Sequence, residues 1–78
     1  LNDADPALLF QLGNDYFSGR RRGPERNLNY ALWCFNRADS LLTNATDAQS
    51  GRYRDIISKS KQNIHRAGNI VAQKPKKD

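Results

Sequence analysis

Leu12-Gly13-Asn14-Asp15-Tyr16-Phe17-Ser18-Gly19 is the stretch on which the reading of the fold turns. It places a glycine inside a helical pattern and a second glycine where that helix should stop. Upstream, Asp5-Pro6 supplies an N-cap followed by proline at the first helical position, so a first helix is expected over Pro6 to Ser18. On a 3.6-residue period Leu8, Leu9, Leu12 and Tyr16 share one side, and Phe10 and Phe17 form a second side with Gly13 between them. An apolar arc this wide predicts a helix clamped between two others.

Downstream, Gly19-Arg20-Arg21-Arg22-Gly23-Pro24-Glu25-Arg26-Asn27 breaks any regular pattern and reads as a loop. Asn27 is the expected cap of a second helix, Leu28 to Leu42. Its stripe is Leu28, Ala31, Leu32, Phe35, Ala38 and Leu42. Trp33 and Arg37 lie off that stripe, four residues apart, a spacing that allows a cation–π stack. Residues 43–50 are polar and turn-prone, and Thr46 or Asp47 can cap a third helix over Ala48 to Gln73. Tyr53, Ile56, Ile57, Ile64, Ala67 and Val71 give that helix a narrow apolar stripe, flanked by Arg52, Arg54, Lys59, Lys61 and Arg66. Residues 1–5 read as a lead-in, and 74–78, with Lys74, Lys76 and Lys77, as a disordered basic tail.

Seventy-eight residues allow one domain with a modest core. Hydrophobic content of 37% and mean hydropathy of −0.87 are low for a free-standing globule, and fit a unit that leaves a face for neighbours. Net charge is +5, unevenly spread: residues 1–17 hold Asp3, Asp5 and Asp15 and no base, whereas four arginines crowd the first loop. The lone Cys34 excludes an internal disulfide and reads as a small core residue. No run is long and apolar enough to cross a bilayer. A first residue of Leu1 rather than Met fits a piece of a longer chain.

With these residues in place, 9–38 resemble a Sel1-like repeat, a relative of the tetratricopeptide repeat (TPR). That pattern has Leu-Gly-x-x-Tyr-x-x-Gly in its first helix and turn, matched by Leu12, Gly13, Tyr16 and Gly19. Its second helix carries two alanines seven apart around an aromatic residue, matched by Ala31, Phe35 and Ala38. Gly13 lets the second helix approach closely, and the two alanines offer matching small surfaces. The chain departs from the pattern in a loop about two residues longer than usual, in Arg21 where a second glycine is typical, and in Trp33 one place before the usual tryptophan position. The resemblance implies an all-α fold, a helix–turn–helix unit of an α-solenoid with residues 43–73 as a capping helix. It further implies a non-enzymatic adaptor or scaffold, of a family often exported or attached to bacterial envelope and secretion machinery.

Candidate sites follow from residue type. Phe10, Asn14 and Phe17 on the first helix, with Trp33 and Arg37 on the second, could receive a partner helix or peptide; the competing role of the aromatic residues is packing, against the third helix or, for Phe10 and Phe17, also on an upstream repeat. Arg20, Arg21, Arg22 and Arg26 suit a partner protein with an acidic patch. Nucleic acid ranks second, because no aromatic residue is interleaved with those bases to stack on; that reading would use the arginine loop and the third helix. Self-association through uncovered repeat faces is a further expectation. His65 has no second ligand nearby, so no metal or cofactor is expected, and no nucleophile–base–acid set can be assembled. Asn44-Ala45-Thr46 fits an N-glycosylation acceptor.

Overall fold

The computed structural model describes residues 4–19 and 23–76, and within them the chain is all-helical: α1 (Pro6–Ser18), α2 (Leu28–Leu42) and α3 (Ala48–Arg66). Each helix starts on a side-chain cap that satisfies otherwise orphaned N–H groups. Asp5 accepts from the backbone N–H of Ala7 at 3.0 Å and of Leu8 at 3.4 Å. Asn27 accepts from Tyr30 N–H at 3.2 Å, and Asp47 from Ser50 N–H at 3.0 Å. The Ser50 hydroxyl also donates to Asp47 at 2.7 Å, so this buried polar side chain is satisfied. These hydrogen bonds, first to the Ser50 side chain and then to its backbone, hold the Asp47 carboxyl below its ordinary pKa.

α1 and α2 run antiparallel and interlock. Tyr16 meets Tyr30 edge-on at 5.3 Å, while Phe10 meets Phe35 at 6.0 Å, so contacts move up one helix as they move down the other. Gly13 lies between these points. A Cβ built there would come within 2.7 Å of the Phe35 ring, so only a residue without a side chain leaves room for that ring against α1. Leu9, Ala31, Cys34, Phe35 and Ala38 are fully buried around this contact. The loop between the helices is tied at its ends: Gly19 N–H donates to Asp15 O at 2.8 Å and Asn27 N–H to Tyr16 O at 2.8 Å. Gly19 has φ +71, and a Cβ there would meet Arg26 atoms at 3.1 Å, so glycine is required twice over.

α3 packs mainly on α2 through Ile57 and Ile64, both buried and seven residues apart. Tyr53 reaches α1 by a tilted contact with Phe10 at 5.3 Å. The expected extension of α3 to Gln73 is not seen. The helix ends at Arg66, where Ala67 N–H and Gly68 N–H turn back to Ile64 O and His65 O, and Gly68 takes φ +146, open only to glycine. Two members of the expected stripe therefore leave the helix: Ala67 is exposed at its cap, and Val71 is 71% exposed beyond it. Leu8 and Ile56 are also largely exposed, so the inward arcs of α1 and α3 are narrower than the sequence periodicity suggested.

Candidate interaction surfaces

Of the residues expected to bind a partner, Phe10, Asn14, Phe17, Arg26, Trp33 and Arg37 fall among the described residues. Phe10 is half-buried among Phe35 and Tyr53 and joins all three helices. Its ring contacts lie in the packing between the helices. Phe17 is also half-buried and packs against the core cluster, with the Arg26 guanidinium 6.0 Å above its ring. Asn14 is exposed on α1. Arg26 is exposed at the end of the loop, and Arg20, Arg21 and Arg22 lie outside the described residues.

Trp33 and Arg37 are half-buried on α2. A cation placed over the indole is Lys74, with Nζ 5.6 Å from the ring centroid. This pairing follows from the path of residues 69–76. Instead of prolonging α3, they run back along α2 without regular secondary structure. Gln73 N–H donates to Asn29 O at 3.0 Å, and the Asn29 side-chain amide donates to Val71 O at 2.8 Å. Ile70 packs on the core and Pro75 is buried. Lys74 and Pro75, expected in a loose tail over 74–78, are thus part of a docked strap, and residues 77–78 of that tail lie outside the described residues. Asn29 escaped the sequence reading altogether. The available signal was Gly68-Asn69, a helix stop followed by an apolar residue and a proline.

A cavity of about 360 Å³ opens between α2 and α3, lined in part by Asp39, Arg54, Asp55 and Lys61. Two of its charges are paired. Arg54 Nε donates to Asp39 at 3.0 Å in a pair whose side chains stay 41% and 31% exposed, and a pair so placed contributes at most about 1 kcal/mol. Asn44, Ala45 and Thr46 are exposed in the turn between α2 and α3, and His65 is exposed on the last turn of α3. Among the described residues no group of three His, Cys, Asp or Glu side chains is placed to hold a metal ion. Burial pushes the Cys34 thiol up to about 12, which leaves it protonated and unreactive at neutral pH. Among the described residues no helix is long and apolar enough to cross a membrane.

Comparison with family models, with curated proteins and with solved structures returns no match for this chain.

Proposed function

We propose that this chain is a non-enzymatic protein-interaction module, a Sel1/TPR-like helical unit that works by stacking and by holding a partner protein. The observation that carries the reading is the Phe35 ring laid against Gly13, with Ala31 and Ala38 buried beside it. This is a close helix–helix contact built from the residue types that the Sel1 pattern would require at those positions. Uncovered apolar side chains on two helices, Leu8 on α1 and Ile56 on α3, support it further. A stacking repeat leaves such residues for its neighbours.

Stability in a stacked array is the sum of unit and interface terms, so a second unit should raise the stability of the first. Two copies of the full chain joined in tandem should therefore unfold at a higher midpoint than one. An unchanged midpoint, with the two copies melting independently, would remove the repeat-unit reading. Titration with generic single-stranded and duplex nucleic acid at low salt tests the basic-domain alternative. Binding through phosphates would appear there and weaken steeply as salt rises.

A further inference from the structure

We propose that the face of α2 marked by Asn29 and Trp33 is a binding site for an extended peptide of the form Ile-x-x-x-Lys-Pro, and that residues 69–76 occupy it as an internal competitor. The inference builds on the reading of the chain as an interaction module and names the chemistry of its partner.

Each contact selects a feature of such a peptide. The Asn29 side-chain amide donates to the Val71 carbonyl, and the Asn29 carbonyl accepts from Gln73 N–H. This two-way pairing recognises extended main chain whatever its side chains. The Trp33 face takes the Lys74 ammonium. Pro75, the following residue, is buried, and proline has no N–H that burial would leave without a partner. Ile70 supplies the apolar anchor at the other end. The three residues between Ile70 and Lys74 are exposed, so their side chains are free to vary.

The same geometry makes the occupant detachable. Ile70 and Pro75 are its main apolar anchors, its other residues are exposed, and it swings from Gly68 at φ +146. A segment with so little burial belongs to the low end of local stability. Because it is tethered, it competes at a high effective concentration, and an external peptide must exceed that before it binds.

The test uses the full chain, with the synthetic peptide Asn-Ile-Val-Ala-Gln-Lys-Pro-Lys as probe and the indole N–H resonance of Trp33, the single tryptophan, as readout. In the full-length Lys74→Glu/Pro75→Ser variant the internal copy is weakened. The peptide should then shift the indole resonance saturably, at concentrations about tenfold or more below those needed with the unaltered chain. A peptide with Lys and Pro replaced by Ala should not shift it. Absence of any shift in a variant of native helix content would overturn the proposal. Concentration-dependent dimerisation of the unaltered chain that the variant loses would also do so, since it gives the face to a second copy's tail. Should the variant not fold, hydrogen exchange in the unaltered chain decides. A Gln73 amide exchanging faster than that of Phe35 supports a detachable strap, and equal rates refute it. A negative peptide titration beside a tandem chain of raised midpoint would sink the strap site and leave the repeat-unit reading standing.

Discussion

The α1–α2 pair and the α3-plus-strap half of the molecule are held by different physics. In the first, shape dominates: a fully buried Phe35 ring lies on Gly13, ringed by Leu9, Ala31 and Ala38, and nothing can move without opening a void or a clash. In the second, attachment is by separate anchors. Ile57 and Ile64 pin α3, Arg54 pairs with Asp39, and the strap hangs on Asn29 and Trp33. Dense packing gives rigidity, whereas spaced anchors give parts that can detach one at a time. Stability is concentrated in the α1–α2 contact, and the anchors of α3 and the strap are where it can be given up.

Four substitutions can break or sharpen that contrast, from the largest expected effect to the smallest. Phe35→Ala should cost about 3–5 kcal/mol, a large part of the total for a chain of this size, and leave little folded protein in urea titrations followed by circular dichroism. Ile64→Ala should cost about 2 kcal/mol, at the low end for a buried aliphatic truncation, because α3 lies at the edge and can settle. If Ile64→Ala proved as damaging as Phe35→Ala, the division between a shape-locked half and an anchored half would fail.

Gly13→Ala sets two effects against each other. Relief of a helix-interior glycine gains about 1 kcal/mol, while the new Cβ overpacks the Phe35 ring at a cost of about 1–3 kcal/mol. A net loss is expected because that ring is fully buried and cannot swing away. The double variant Gly13→Ala/Phe35→Leu should recover part of it, and a stabilised single variant would mean that the close approach is not needed.

The smallest effect concerns the cap of α3. Asp47 has its folded pKa lowered by Ser50, so its stabilisation is complete above the unfolded value of about 3.9 and is lost as pH falls through the lower folded value. Asp47→Asn keeps an acceptor for Ser50 N–H without the charge. Acid titration of the unfolding midpoint should therefore be flatter in Asp47→Asn below about pH 4, with little change at neutral pH. Parallel curves would show that the cap charge does not contribute.

Much of the fold was legible along the chain. Asp5 and Asn27 cap their helices as expected, Asp47 is the one of the two candidates, Thr46 and Asp47, that caps α3, and α1 and α2 have the expected bounds. The six-residue stripe of α2 turns inward, with Leu28 only half-buried. The candidate surface was far less legible. Phe10 and Phe17 have the same spacing whether they face a partner or the core, and only the packed helices separate the cases, Phe10 by its contact with Tyr53 of α3. Three arginines of the first loop lie outside the described residues, so the acidic-partner reading of that loop rests on composition alone.

By itself, then, the sequence determined what is written within a few residues: the caps, the glycine stop of α1, the period of α2 and the small residue at position 13. Such features act through hydrogen bonds and sterics within a turn or two, so local spacing suffices to encode them. Tertiary structure alone decided that Lys74 reaches the face of Trp33 and that Asn29 holds a segment 42 residues away. Those outcomes depend on which surfaces meet once the helices have packed, and a one-dimensional period carries no record of that meeting.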